Sequence, residues 1–203
     1  MKLYFSPGAC SLSPHIVLCE SGLPFEIEKV DLSTKRTAGD NDFREINPKG
    51  YVPALQLDSG LVLTEGPAIV QYVADLVPEK RLVPTAGSIE RYQVMEMLNF
   101  ISTEIHQSFS PLFRATTPNE TKNAMRDRLT KRIAFVAQKI EKDGYATGAE
   151  FGVADAYLFT VLGWARHVKF DLSPWPAVVA YLEKIAARPA VLAAMKAEGL
   201  IKG

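Results

Sequence analysis

Pro53 constrains this chain more than any other single residue, because it stands at the head of an apolar run in KGYVPALQLDSGLVLTEGPAI, residues 49–69. A proline has no N–H to give to a sheet, so in a strand it fits only as the first residue, at an edge, or behind a cis bond. The run Ala54, Leu55, Leu57 is followed by Asp58-Ser59-Gly60 and a second run at Leu61 to Leu63, which predicts a β-hairpin. Thr64-Glu65-Gly66-Pro67 comes next, and then Ile69, Val70, Val73 and Leu76 at helical spacing. Thr64 or Glu65 can serve as the cap region, and Pro67 fits the first helical turn, where its missing N–H is not needed. A cis Val52–Pro53 bond would turn the Val52 N–H and C=O outward to pair with an extended peptide. The helix start at Gly66 would offer unpaired N–H groups to a carboxylate. Together these predict a peptide-grasping edge beside an anion site, although an ordinary hairpin-to-helix corner would use the same residues.

At 203 residues the chain has length for one large domain or two small ones. With 47% hydrophobic and 23% charged residues and a formal net charge of zero, it has the composition of a globular protein with no global pull toward nucleic acid or membrane. The charge is unevenly spread: residues 1–80 hold 7 Lys/Arg against 11 Asp/Glu, and the rest hold 16 against 12, which favours two units. Pro7 and Gly8 interrupt the N-terminal apolar run, so no signal peptide is expected, and no window approaches the roughly 18 apolar residues of a membrane span. Two cysteines nine positions apart, Cys10 and Cys19, argue against a disulfide scaffold and for a cytoplasmic protein.

In order, Lys2 to Phe5 predicts a strand, Ser13-Pro14 a helix start with Gly22 as its stop, and Phe25 to Val30 a second strand. A β-α-β opening implies a parallel pair with a right-handed crossover. Residues 31–42 are expected to be a loop with at most a short helix. With the hairpin and its helix the order becomes β-α-β-(α)-β-β-α, a thioredoxin-like arrangement with a four-stranded mixed sheet. The pattern breaks between Pro78 and Pro84, so the expected domains are 1–80 and 87–203, joined by a linker over 81–86. The second domain reads as all-α, with five helices over 88–113, 117–142, 153–168, 176–187 and 189–197. The fold class is therefore α+β with two domains.

Cys10 falls between the first strand and first helix, where helix N–H groups and the dipole favour a thiolate. Cys10-Ser11-Leu12-Ser13 looks like a Cys-x-x-Cys motif with serine in place of the resolving cysteine. Cys19 lies two turns into the helix, too far to bridge, and is expected in the core, while His15 has no functional company. On the long helix Asn99, Thr103 and His106 recur at helical spacing, opposite Met95, Leu98, Ile101, Ile105 and Phe109. A polar stripe of that kind would face an inter-domain cleft. Asp155 sits three residues after Gly152, which predicts half of a capping box and no catalytic content. There is no metal-ligand cluster, P-loop, G-x-G-x-x-G or G-x-S-x-G.

Several motifs in order carry a resemblance over essentially the whole length: MKLYFSPGACSLSPHI, NPKGYVPAL, LTEGPAIVQY, NFISTEIH, FGVADAYLF, LSPWP and AEGL. In these the chain resembles the glutathione S-transferases, and among them the bacterial beta class. The resemblance implies a glutathione-binding first domain and a helical domain supplying most of the second-substrate pocket. Cys10 would sit by the glutathione sulfur and form a mixed disulfide with it, with Ser11 and backbone N–H groups helping to stabilise the glutathione thiolate. Lys35 would pair with the glycyl carboxylate, Val52 with the cysteinyl backbone ahead of a cis Pro53, and Glu65 and Gly66 with the γ-glutamyl end. Asn99, Thr103, Glu104 and His106 would line the site from the helical domain, with Glu104 extending toward the partner subunit of a homodimer. Two departures stand out: Gly66 where the wider family usually has serine, and Gln107 where this class often has lysine.

The expected activity is conjugation of the glutathione thiolate to a small hydrophobic electrophile, with glutathione as co-substrate and no other cofactor. Thiol–disulfide exchange through Cys10, reductive dehalogenation, and a non-enzymatic binding role on the same fold are the alternatives. The generic apolar character of the helical domain does not identify the electrophile.

Overall fold

The computed structural model of the chain describes residues 1–202. Its contacts form two compact units, Met1–Val83 together with the segment from Arg188 onward, and Pro84–Ala187.

In the first unit β1 (Lys2–Phe5), α1 (Leu12–Ser21) and β2 (Glu26–Asp31) make the expected β-α-β, with β1 and β2 parallel. α1 stops at Gly22, whose φ of 72° is a left-handed conformation that glycine adopts without a Cβ clash. The region between β2 and the hairpin is more ordered than expected. Asp31 Oδ1 accepts from the Ser33 and Thr34 N–H groups and turns the chain back into β3 (Arg36–Thr37), antiparallel to the end of β2. A two-residue strand is too short to show a period, which is why the sequence predicted four strands. The sheet has five, in the order β3-β2-β1-β4-β5.

α2 (Phe43–Ile46) follows, capped by Asp42, whose carboxylate accepts the Arg44 N–H at 2.9 Å. The hairpin strands β4 (Ala54–Gln56) and β5 (Val62–Thr64) are antiparallel, and β4 pairs with β1 so that Leu3 faces Leu55 and Tyr4 faces Ala54. Side chains alternate across the sheet, so the buried Leu3–Leu55 pair lies on one face. Tyr4 and Ala54 lie on the other, in a core with Val30, Phe43 and Val52. α3 (Gly66–Asp75) then packs beside α1.

The second unit is helical. α4 (Ile89–Phe100) is capped by Ser88 Oγ, which accepts the Arg91 N–H at 3.2 Å. The expected single run over 88–113 is instead broken into four segments of three geometries. A π-helical turn covers Ile101–His106, α5 is the short turn Gln107–Phe109, and a 3₁₀ turn closes Ser110–Phe113 around Pro111. α6 (Asn119–Asp143) ends at Gly144. In α7 (Val153–Leu162) all ten residues are buried, as befits a helix apolar on every side. The Asp155 carboxylate accepts from the Gly152 N–H at 2.9 Å, the Ala146 N–H at 2.8 Å and the Tyr181 hydroxyl at 2.8 Å. The half capping box is thus present, and the same carboxylate also pins α7 to α8 (Pro176–Ala186). Burial pushes the Asp155 carboxyl up despite these donors.

The tail corrects the expected division at 87–203. α9 (Pro189–Ala197) packs on α1 in the first unit and does not complete the helical one. Arg188 Nε donates to Glu20 Oε1 at 2.7 Å. Beyond α9, Glu198 Oε1 lies 2.9 Å from His15 Nδ1, and Oε2 accepts the Gly8 N–H at 2.9 Å. His15 and Glu198 are both buried, where polar groups need such partners. They are 183 positions apart, and no local pattern connects them.

Candidate functional site

The corner between β1 and α1 holds Cys10 and Ser11. Cys10 Sγ donates to the Val52 carbonyl at 3.3 Å. Burial pushes the Cys10 thiol up to about 11, and the Glu65 carboxylate adds to the rise. The backbone N–H groups of Cys10 and Ser11 work in the opposite direction and lose. This overturns the expectation of a thiolate. A helix terminus is worth about 0.3–1 kcal/mol, whereas burying an ion costs several kcal/mol. Ser11 is fully buried, and its hydroxyl accepts the Ser6 N–H at 3.1 Å and donates to the Ser6 carbonyl at 3.3 Å. These two bonds close the loop that carries Cys10. Cys19 is half-buried instead of core, its thiol likewise pushed up to about 11, chiefly by burial.

The Val52–Pro53 bond is cis, as the sequence predicted. The Val52 carbonyl is occupied by Cys10, while its N–H meets no acceptor among the described residues. Gly66 is buried and opens α3, and its own N–H meets no acceptor among the described residues, whereas Pro67 has no N–H and the Ala68 N–H is taken by the Glu65 carbonyl at 3.0 Å; a Cβ on Gly66 would meet Pro53 Cγ at 3.8 Å. Glu65 and Lys35 both adopt left-handed backbone, with φ of 69° and 60°. For residues with a Cβ this is uncommon, and it concentrates at functional positions. Lys35 is held there by its own N–H on the Asp31 carbonyl and by the Phe43 N–H on its carbonyl, both at 2.8 Å. Its side-chain stem runs past Gly50, and its ammonium pairs with no carboxylate among the described residues. Glu65 carries a group that the sequence did not single out. Lys49 Nζ donates to its carboxylate at 2.6 Å and to Thr64 Oγ1 at 3.0 Å, and the Tyr51 hydroxyl donates to the carboxylate at 3.1 Å.

In the helical unit the predicted stripe comes apart. Asn99 and Thr103 are exposed, with Thr103 Oγ1 bonded to the Asn99 carbonyl at 3.0 Å. His106, at the end of the π-helical turn, is half-buried with Nδ1 2.7 Å from the Tyr157 hydroxyl. Its ring stands edge-on to Trp164, centroids 4.7 Å apart. Glu104 is engaged within the chain, accepting from Arg132 Nε at 2.6 Å and pairing with Arg128 at 2.9 Å. Those two arginines, Arg132 foremost, hold its carboxyl below the usual range. Tyr157 and Trp164 escaped notice because both lie in apolar helical sequence, where an aromatic reads as core. Among the described residues no helix is long and apolar enough to cross a membrane.

The glutathione S-transferase N-terminal domain model matches residues 8–76, and the C-terminal domain model matches residues 100–189. The chain is 48% identical to glutathione S-transferase GstA of Escherichia coli O157:H7, over 98% of this chain and 100% of that one. The structure of BphK, a bacterial GST solved as a ternary complex, superposes with a TM-score of 0.97 at 57% identity, covering 98% of this chain and 100% of that one. The bacterial beta class enzyme of Sphingomonas chungbukensis gives 0.96 at 46% identity, covering 99% and 100%.

Proposed function

The chain belongs to the glutathione S-transferase family, and on that premise we propose that it binds glutathione along the Val52 backbone and transfers it to small hydrophobic electrophiles. The observation that carries this reading is the 3.3 Å contact between Cys10 Sγ and the Val52 carbonyl. It brings the thiol to the backbone edge where an antiparallel peptide would lay its own cysteine. In the same unit, the unpaired Lys35 ammonium is suited to the glycyl carboxylate. Glu65 is suited to the γ-glutamyl ammonium and would exchange Lys49 for it. The Gly66 N–H is suited to the γ-glutamyl carboxylate. In the helical unit, His106 is the candidate for acid–base help and Asn99 and Thr103 are the candidates for polar contacts.

Conjugation is favoured over disulfide exchange because Cys10 is protonated near neutral pH, and only a thiolate attacks a disulfide. A mixed disulfide with glutathione remains part of the proposal as a slow side reaction. In it the Cys10 thiolate attacks oxidised glutathione, one S–S bond replaces another, and a glutathione thiolate leaves. A homodimer is supported by exposed apolar side chains on α4 and α6, namely Ile89, Tyr92, Met95 and Phe135.

The test is calorimetric titration with glutathione, followed by turnover of a panel of electrophiles, disulfides and chlorinated aromatics. Binding with conjugation of aryl halides is expected. Absence of glutathione binding overturns the proposal, and dehalogenation or exchange without conjugation replaces it.

A further inference from the structure

Between α2 and the Val52 edge the chain turns within five residues, and one buried side chain spans the turn. Asn47 is 2% exposed, and both ends of its amide are used. Its Nδ2 donates to the Tyr51 carbonyl at 2.7 Å, and its Oδ1 accepts the Lys49 N–H at 3.2 Å. A carbonyl only accepts and a backbone N–H only donates, so these partners fix the orientation of the amide. The backbone of the same residue is engaged as well. Its N–H donates to the Phe43 carbonyl of α2, and its carbonyl accepts the Gly50 N–H, both at 2.8 Å. A turn alone needs only the acceptor for Lys49, which aspartate or serine supplies equally well. The donor for Tyr51 is the addition that turn chemistry leaves unexplained.

We propose that Asn47 is a positioning residue that aims the Val52 N–H at an extended peptide ligand and so sets the affinity for glutathione. This rests on the proposed binding of glutathione along Val52. The Tyr51 carbonyl and the Val52 N–H belong to one peptide unit. That unit is planar and trans, so its carbonyl and its N–H point in opposite directions. Asn47 draws the carbonyl into the buried side of the turn, which directs the N–H away from it. The Val52 N–H meets no acceptor among the described residues, whereas the Val52 carbonyl is taken by Cys10. Without the Asn47 donor the plane is free to rotate about the single bonds that flank it, and a carbonyl released to water takes the N–H with it. Asn47 also ties this edge to Lys35. The Phe43 carbonyl holds the Asn47 N–H, and the Phe43 N–H is held in turn by the Lys35 carbonyl at 2.8 Å. The Lys35 stem runs past the same turn, with Cδ and Cε 3.9 Å from where a Cβ on Gly50 would stand. One buried amide thereby fixes, within a single unit, the groups proposed for the glycyl and cysteinyl parts of glutathione.

The test is calorimetric titration of the whole protein with glutathione, comparing wild type with Asn47→Asp and Asn47→Ala. Asn47→Asp keeps the acceptor for Lys49 and sets an oxygen against the Tyr51 carbonyl, while Asn47→Ala removes both bonds. Each should raise the Kd for glutathione about 5–30-fold. In steady-state conjugation of a chlorodinitrobenzene the KM for glutathione should rise in step. The kcat at saturating glutathione and the KM for the electrophile should change less than about 2-fold. A residue that only stabilised the turn would lower the melting temperature and leave the Kd and KM of the folded molecules unchanged. The carboxyl in Asn47→Asp can donate once protonated, so its Kd relative to wild type should recover between about pH 8 and about pH 5.5. Hydrogen exchange of the wild type gives a reading that needs no variant. The Asn47 side-chain amide should exchange slowly, and the Val52 N–H should become protected only when glutathione binds. Variants with the wild-type Kd overturn the inference, and so does an Asn47 amide that exchanges like a solvated side chain; the amide exchange decides the point if neither variant folds. If wild type binds no glutathione, or binds it without protecting Val52, the proposed function falls and this inference falls with it. If Val52 is protected while the variants bind normally, only the role of Asn47 is lost.

Discussion

The β1–α1 corner and the π-helical turn after α4 each hold a titratable side chain against an apolar wall, with opposite outcomes. At the corner, the Cys10 proton is shared with the Val52 carbonyl. A backbone carbonyl can only accept, so the contact rewards the neutral thiol and burial reinforces it. At the turn, His106 meets the Tyr157 hydroxyl, which can donate or accept. The first partner favours the protonated form of its group; the second can meet the imidazole nitrogen as donor or as acceptor. The comparison shows that nearness to a helix terminus decides less than what the immediate partner can donate or accept.

The sharpest test of the contrast is His106→Ala, which should lower turnover about 10²–10⁴-fold, with a smaller effect on glutathione affinity. Steady-state kinetics with the pH–rate profile measures it, and an unchanged profile would make His106 a packing residue like its aromatic neighbours. Next in size is the pH response of Cys10. With its thiol at about 11, its alkylation rate should rise roughly tenfold per unit between pH 7 and 9, about 100-fold in all. Peptide mapping in a Cys19→Ala background isolates it, and a plateau reached by pH 8 would return Cys10 to a thiolate. Lys35→Ala and Glu65→Ala should each weaken glutathione binding by about 1.5–3 kcal/mol. Glu65 belongs at the lower end, because it must leave Lys49 and Tyr51 to bind. Calorimetry showing both unchanged would remove the site from this unit. The smallest effect is expected for Cys10→Ala, which should change conjugation by less than about 3-fold, since a neutral thiol bonded to Val52 supplies no charge to the sulfur. With oxidised glutathione at alkaline pH the same variant should lose the mixed disulfide at this position, as read by intact mass.

Much of the first unit was legible because its signals are local. Gly22 ends α1 with a left-handed backbone that glycine adopts freely. Pro53 left few options in a strand, and the bond before it is cis. β3 was not legible, since two residues carry no periodicity. The π-helical turn was hidden too, because its sequence reads as ordinary helix. The Asn99–Thr103–His106 stripe assumed α-helical spacing throughout, and the wider turn at its end carries His106 away from the other two.

The sequence alone determined the order of strands and helices, the two-part organisation, the proline corner and the residue types gathered around it. These depend on caps, turns and periods that repeat within one or two turns of chain. The tertiary structure decided that α9 joins the first unit, through Glu198 on His15 and Gly8. It also decided that Glu104 is held by Arg128 and Arg132, that Cys10 keeps its proton, and that His106 finds Tyr157. In each case the partner lies 24 to 190 positions away. Protonation and pairing follow from desolvation and from which donor arrives, and both exist only once distant segments have packed.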